Sequence, residues 1–287
     1  MPFRNVLFPV DFSERSHAVV PHVQAVCRRF GSSLTLVHYF EVPSMAYVAP
    51  EAPVVFDFPA DEIRAAAEQK LSQFADEEFP GLPVSKIVDE GDPGSCIADL
   101  AKTRQIDLIM LPTRGRGRFR AALLGSVTSK TLHDAECAVW TEAHCEDVGS
   151  AHAEWRTVVC AIDTAPEGLR LIRFASDLAA KTGVKICLAH AIAVTEAEAG
   201  EYLGTEFAAL SKDRARQAIS AMQHATGTNF GVCVEAGSIP RVVRHAAESH
   251  KADVVLIGRG ALPHFAGRLR SHAYAIVRDM PCPVLSV

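Results

Sequence analysis

The sequence predicts an α/β protein built from two tandem, open, mostly parallel sheets of five strands, with helices on both faces. Two observations lead to this prediction. Short apolar runs alternate with longer segments whose apolar residues recur at helical spacing, which is typical of a parallel sheet covered by helices. The same order of elements then recurs roughly 150 residues later, and such a repeat indicates a duplicated domain.

The duplication can be followed residue by residue. Val6–Asp11 is a short apolar strand that ends in an acid, and Val158–Asp163 repeats it. Other matched pairs are Gly31 with Gly183, His38 with His190, Gly91 with Gly237, Asp107 with Asp253, Gly115 with Gly260, Ser126 with Ser271, and Cys137 with Cys282. We therefore expect domains at 1–146 and 154–287, related by an approximate twofold axis.

The elements of each half are expected in the same order. In the first half, strands are predicted at Val6–Val10, Leu34–Tyr39, Val84–Val88, Leu108–Leu111 and Ala138–Thr141, and helices at Ser16–Phe30, Asp61–Phe79, Ser95–Thr103 and Ser126–Asp134. In the second half, the later elements are predicted at Ile186–His190, Glu201–Ala225, Val232–Glu235, Arg241–Ser249, Val254–Ile257, Ser271–Asp279 and Val284–Val287. The two last strands should pair, because an unpaired apolar edge is an aggregation hazard.

Two prolines and a proline-rich stretch modify this scheme. Pro21 should kink the first helix or lie in its first turn, whereas Pro166 suits the start of its helix. The apolar stretch from Val42 to Pro59 contains several prolines and follows the second strand. We expect it to form a lid or a contact between chains, since so much apolar surface would otherwise be exposed. An unstructured loop is the alternative.

Composition limits the class of protein. The net charge is −5, so no overall positive field favours nucleic acid. The eight cysteines form no C-x-x-C pair, and we interpret them as small buried residues in a reducing compartment. The N-terminal run before Asp11 is too short for a signal peptide, and no apolar stretch is long and uninterrupted enough to span a membrane. A soluble, cytoplasmic protein is expected.

The stretch Asp107–Thr128 has the features of an anion site. A buried strand is followed by Gly115 and Gly117, which permit close backbone approach, and then by Ser126, which we expect to cap a helix. A helix N-terminus with unpaired N–H groups attracts phosphate. Four arginines lie in the same stretch: Arg114, Arg116, Arg118 and Arg120. The alternative is a solvated basic loop before an ordinary helix.

Asp11 is predicted to lie at the same edge of the sheet. It ends the first strand, and ligands of open parallel sheets bind beyond the carboxyl ends of the strands. An acid opposite a phosphate-binding helix indicates a nucleotide, with the carboxylate toward the ribose hydroxyls. The alternative role for Asp11 is that of a capping or turn acid before the first helix.

These motifs together resemble those of the universal stress protein domain. The resemblance rests on Pro9–Ser13, Leu36–His38, Gly91–Pro93, the Arg114-Gly115-x9-Gly125-Ser126 pattern and Cys137–Trp140, and it covers the chain twice. It implies a Rossmann-like fold similar to the adenine-nucleotide alpha hydrolases, and a stress-response protein that binds ATP, with or without Mg²⁺, mainly in its N-terminal domain.

The resemblance also implies the residues that would bind ATP. Pro9, Val10 and Asp11 would line the adenosine, and Tyr39 would offer its backbone to adenine. The phosphates would be held by Arg114, Gly115, Gly117, Gly125, Ser126, Val127 and Thr128. The family's loop is Gly-x-x-Gly-x9-Gly-Ser/Thr, and Pro112 takes the place of its first glycine. In the second half, Arg270 stands where the last glycine would be, so at most one ATP per chain is expected.

Other functions are less well supported by the sequence. No nucleophile motif or metal spacing such as H-E-x-x-H occurs, so we expect no catalytic residue and no metal ligand, and at most slow ATP hydrolysis. The alternative is a nucleotide-free interaction or dimerisation module with vestigial ATP sites. The sequence does not contain the signature loops of an adenylating enzyme. The expected partners are an adenine nucleotide and a second domain, in a homo-oligomer or an intrachain pseudo-dimer, with no nucleic acid or membrane.

Overall fold

The computed structural model describes residues 3–42, 46–49, 52–55, 59–113, 124–142, 155–192, 204–259 and 268–287. The described residues divide into two compact units, and the division falls between Cys137 and Ala138. The segment between the two expected domains, residues 147–153, lies outside the described residues. Within the described part of the chain, no helix has the length and apolar character needed to cross a membrane.

The first unit is a parallel sheet covered by helices, as predicted. Its elements are β1 (Asn5–Pro9), α1 (Glu14–Phe30), β2 (Ser33–Phe40), β3 (Ala46–Ala49), β4 (Ala52–Val55), α2 (Ala60–Glu78), β5 (Val84–Glu90), α3 (Pro93–Thr103), β6 (Leu108–Pro112) and α4 (Ser126–Asp134). The strands follow the order β6-β1-β2-β5, and each neighbouring pair is parallel. β3 and β4 form a separate antiparallel hairpin within the proline-rich stretch, and its role as a lid or contact stays a prediction.

Local chemistry explains where α1 begins and ends. Ser13 is its N-cap, and the hydroxyl accepts a hydrogen bond from the Ser16 N–H. The helix ends at Gly31, whose φ of 63° lies in the left-handed region that glycine adopts freely. Pro21 lies inside the helix, beyond its first turn, so α1 forms although proline donates no backbone hydrogen bond.

The second unit is also a parallel sheet covered by helices, and its sheet contains six strands, two more than that of the first unit. Its elements are β7 (Ala138–Glu142), β8 (Thr157–Ala161), α5 (Pro166–Thr182), β9 (Lys185–Ile192), α6 (Gly204–Thr226), β10 (Gly231–Ala236), α7 (Ile239–Ser249), β11 (Val254–Ile257), α8 (Arg268–Asp279) and β12 (Val284–Ser286). The strand order is β10-β9-β8-β11-β12-β7. The neighbours are parallel except for β12 and β7, which are antiparallel.

The pairing of the two last strands, which the duplication predicted, is confirmed. Leu285 of β12 lies opposite Trp140 of β7, and Val284 lies opposite Thr141. β7 therefore belongs structurally to the second unit, although it ends the first sequence repeat. The domain boundaries at 1–146 and 154–287 remain a prediction about the repeat, because the compact units divide the chain elsewhere.

A repeated aspartate anchors each sheet. Asp107 precedes β6, and its Oδ2 accepts hydrogen bonds of 2.8 and 2.9 Å from the N–H groups of Arg4 and Asn5 at the start of β1. Asp253, which precedes β11, accepts equivalent hydrogen bonds of 2.7 and 2.8 Å from the N–H groups of Arg156 and Thr157 at the start of β8. The repeat of these acids therefore has a structural role, since each carboxylate fixes the starts of two neighbouring strands.

Glu142, at the end of β7, makes the stability of the second unit depend on pH. Its side chain is buried, and burial raises its pKa from 4.5 to about 7. At pH values between 4.5 and about 7, the folded protein therefore binds more protons than the unfolded chain. The stability that comes from protonated Glu142 is fully present at low pH and is lost as the pH rises through about 7. The loss amounts to about 3 kcal/mol.

We expect Glu142→Gln to remove this dependence. The variant should gain stability relative to the wild type at about pH 8 and gain little at about pH 5. Chemical denaturation at both pH values measures the difference. Glu68→Gln on the exposed face of α2 is the control, and a difference between wild type and Glu142→Gln that is the same at both pH values would contradict the assignment.

Candidate functional site

The candidate site lies at the carboxyl edge of the first sheet. β1 and β6 are parallel neighbours, with Val6 opposite Leu108 and Leu7 opposite Ile109, so their ends lie at one edge. Asp11 follows β1, and the segment after β6 leads to α4. The fold thus brings the predicted acid and the predicted helix N-terminus to the same edge, where parallel sheets bind their ligands.

Asp11 is held in place by two serines. Its Oδ1 accepts hydrogen bonds from the Ser13 N–H at 3.0 Å, the Ser13 hydroxyl at 2.6 Å and the Ser16 hydroxyl at 2.6 Å. Phe12, between Asp11 and Ser13, has a φ of 57°, in the left-handed region. The carboxylate closes this turn, while Ser13 caps the helix. The sequence analysis missed this clamp, although serines at these two positions were visible.

The N-terminus of α4 carries no side-chain cap. Gly125 occupies the N-cap position, with φ −60° and ψ 147°, and Ser126 is the first residue of the helix. The prediction that Ser126 caps the helix is therefore wrong, because the cap lies one residue earlier, where glycine has no side chain to accept a bond. In the described part of the chain, no N-cap side chain accepts from the N–H groups of the first turn, which makes this end suitable for an anion.

Two hydrogen bonds fix α4 against the end of β6. The buried Thr128 hydroxyl donates to the Pro112 carbonyl at 2.9 Å, and the Gly125 N–H donates to the Thr113 carbonyl at 2.9 Å. The Thr128 side chain is thus used structurally. Its backbone N–H, with those of Ser126 and Val127, belongs to the uncapped first turn.

The strand ends supply the remaining predicted residues. Pro9 ends β1 opposite Val37, and the buried Val10 donates its N–H to the Val37 carbonyl at 2.8 Å. Tyr39 is half-buried in β2, and its hydroxyl donates to the Cys96 carbonyl at 3.3 Å. Burial, with nearby charges, raises the pKa of Tyr39 to about 12. Its phenol therefore stays neutral and is turned to α3.

The repeated histidines, His38 and His190, have a structural role. The Nδ1 of His38 bonds to the Val10 carbonyl at 2.7 Å, and that of His190 bonds to the Ile162 carbonyl at 2.9 Å. Because a carbonyl only accepts, Nδ1 carries the proton in both. Each histidine ties the end of its strand to the residue before the repeated acid.

Other predicted residues lie outside the described part of the chain. These are Arg114, Gly115 and Gly117, together with Arg116, Arg118 and Arg120. Among the described residues, no group of three or more histidines, cysteines, aspartates or glutamates could hold a metal ion.

At the corresponding described positions, the second unit differs from the first. Asp163 accepts a bond of 3.2 Å from the Ala165 N–H, and the positions of Ser13 and Ser16 are taken by Ala165 and Gly168, which have no hydroxyl. α8 begins at Arg268, so Ser271 lies inside the helix and not at its N-terminus, where the repeat predicted it. The asymmetry between the halves thus extends beyond Arg270.

Comparison with known proteins identifies the family. The model of the universal stress protein family matches residues 2–141 and again residues 154–287. The two matches span most of the chain, and the chain therefore belongs to the universal stress protein family, with two family domains in tandem.

Individual relatives agree with this assignment. A universal stress protein of Methanocaldococcus jannaschii is 23% identical over 139 residues, 48% of this chain and 80% of that protein. One of Mycolicibacterium smegmatis is 27% identical over 188 residues, 64% of this chain and 63% of that protein. The crystal structure of a universal stress protein from Archaeoglobus fulgidus matches with a TM-score of 0.68 and 22% identity, covering 98% of this chain and 95% of that chain. This similarity supports the fold of the whole chain.

Proposed function

We propose that this universal stress protein binds ATP at the carboxyl edge of its first unit and acts as a binding or regulatory protein in the stress response, in the cytoplasm. One observation carries the proposal: the N-terminus of α4 has no side-chain cap and lies at the same sheet edge as the clamped Asp11. The positive end of a helix and a fixed carboxylate suit the two ends of a nucleotide.

Each group has a defined task in this proposal. The N–H groups of Ser126, Val127 and Thr128 donate to the phosphates, and the Ser126 hydroxyl, which is exposed, lies beside them. Asp11 accepts from the ribose, with its carboxylate oriented by Ser13 and Ser16. Pro9, Val10 and the backbone of Tyr39 border the base. Arg114, Gly115 and Gly117 would complete the phosphate loop, with arginine supplying charge-assisted bonds.

Among its described residues, the proposed site offers groups that bind ATP and no positioned base for hydrolysis. Within the described edge, the Asp11 carboxylate is engaged by the two serines, and the His38 Nδ1 donates to a carbonyl. Activation of water for phosphoryl transfer needs a positioned acceptor and a metal. We therefore propose a nucleotide-binding protein that hydrolyses ATP slowly at most.

We expect Asp11→Ala and Asp163→Ala to differ. Removal of Asp11 should weaken ATP binding about tenfold to a hundredfold, the range for a lost hydrogen bond to a charged group, whereas removal of Asp163 should leave it unchanged. Calorimetric titration with ATP and magnesium measures both variants. The wild type should bind one ATP per chain. Binding of two ATP molecules per chain, or a loss of ATP affinity caused by Asp163→Ala alone, would contradict the proposal that only the first unit binds ATP.

A nucleotide-free interaction module is the second candidate. The observation in its favour is Pro112 at the end of β6, where the ATP-binding members of the family are expected to have the first glycine of the loop. Proline removes an N–H and restricts φ. The pseudo-dimer of the two domains, or a homo-oligomer, would then be the functional form. Absence of heat with any adenine nucleotide, together with a stable oligomer in light scattering, would favour this candidate.

A further inference from the structure

We propose that the second unit contains a binding site for a small aromatic carboxylate, separate from the ATP site proposed above. The site is a shallow cavity of about 440 Å³ between the end of β9 and α6, and it is largely open to solvent. Thr164, His190, Ser211 and Arg214 contribute polar groups to its lining, and Ala215 and Ala218 contribute apolar surface.

The repeats differ at one position that lines the cavity. In the first unit, the Phe12 ring covers His38, with the ring centroids 4.6 Å apart and the planes at 41°, and also contacts Phe74 at 6.1 Å. In the second unit, His190 makes the same bond to the strand before it as His38 does, but Thr164 stands at the position of Phe12. A threonine cannot cover the imidazole, so a space suited to an aromatic ring is left beside it.

The polar groups of the lining select the charge of the ligand. In the described part of the chain, the exposed Arg214 has no ion-pair partner, and the hydroxyls of Thr164 and Ser211 have no hydrogen-bond partner. No acidic side chain is among the residues described as lining the cavity. A guanidinium binds a carboxylate with two parallel hydrogen bonds, so the cavity favours a monoanion over a neutral or cationic molecule.

The remaining surfaces select a planar, apolar body. The His190 ring donates through Nδ1 to the Ile162 carbonyl, so its orientation is fixed. Aromatic rings pack well against such a ring in offset or tilted geometry. Ala215 and Ala218, one helical turn apart on α6, provide a flat apolar wall. Asp163 is not among the lining residues, so the cavity lacks the acid that would serve a ribose.

Benzoate is the probe for this site. Calorimetry and NMR of the His190 ring should detect saturable binding of benzoate to the full chain, and benzamide, its neutral analogue, should bind at least about tenfold more weakly because it lacks the charge. Arg214→Gln should weaken benzoate binding by a similar factor. Arg173→Gln, which removes an exposed arginine from α5, is the matched control and should leave binding unchanged.

Thr164→Phe tests the origin of the cavity. It restores the residue that the first unit carries at this position, so the fold should be retained, and the new ring should displace benzoate and abolish binding. Circular dichroism confirms folding. The proposal is overturned if benzoate shows no saturation up to about 10 mM, if Thr164→Phe binds as the wild type does, or if ATP displaces benzoate, since the cavity would then belong to a nucleotide site.

Discussion

Replacing Gly125 by leucine should abolish ATP binding and leave the fold intact. Gly125 has φ −60° and ψ 147°, a conformation open to any residue, so the backbone itself does not require glycine here. The requirement comes from the ligand, since a side chain at the N-cap of α4 would occupy the space that a phosphate must reach. We expect at least about a hundredfold loss of affinity, equivalent to about 2.7 kcal/mol.

Two variants make this experiment specific. Gly125→Ala adds only a methyl group and should cause a smaller loss. Gly231→Leu changes an exposed glycine with open space around it in the second unit and should leave ATP affinity unchanged. Calorimetry measures the affinities, and circular dichroism checks that each variant is folded. If folded Gly125→Leu binds ATP with an affinity similar to that of the wild type, the phosphates do not bind at the N-terminus of α4.

Of the substitutions proposed for this protein, Trp140→Ala should cause the largest decrease in the free energy of unfolding. Trp140 is fully buried in β7, and its ring stacks on Trp155 with centroids 5.1 Å apart and planes at 9°. Truncation leaves a large cavity opposite Leu285 of β12 and removes the stacking, which together should cost about 3–5 kcal/mol. Trp140 is not among the residues proposed to bind ATP, so the ATP affinity of the folded variant should be retained.

Denaturation followed by far-ultraviolet circular dichroism measures the loss. This signal is preferred because the chain has only two tryptophans, and the substitution removes one of them from the fluorescence. Trp140→Phe, which keeps an aromatic ring in the space, should lose clearly less stability than Trp140→Ala. Equal losses in the two variants would show that the filled volume and the stacked ring are not what stabilises this strand.

Much of the fold could be predicted because its signals are local. The alternation of strands and helices depends on apolar spacing within short windows. The stop at Gly31 needs only the left-handed freedom of glycine. The position of Asp11 at the ligand edge follows from its place directly after a strand in a parallel sheet.

The candidate site was predicted only in part, because its details depend on neighbours distant in sequence. Gly125 and not Ser126 is the N-cap of α4. The Thr128 hydroxyl donates to the Pro112 carbonyl and the Gly125 N–H donates to the Thr113 carbonyl, and these partners lie too far apart in sequence for a short window to predict them. The clamp on Asp11 was missed for a different reason: two serines near an acid are common, and only the turn at Phe12 brings both hydroxyls to one oxygen.

The sequence by itself determined the duplication, the parallel α/β architecture of each half and the edge of the sheet at which Asp11 and the N-terminus of α4 lie, because these depend on periodicity and order along the chain. Only the tertiary structure decided that β7 groups with the second compact unit, that α8 begins at Arg268, and that Phe12 covers His38 in the first unit whereas Thr164 and His190 line a cavity in the second. Each of these depends on which distant side chains pack together, and packing is a property of the folded core.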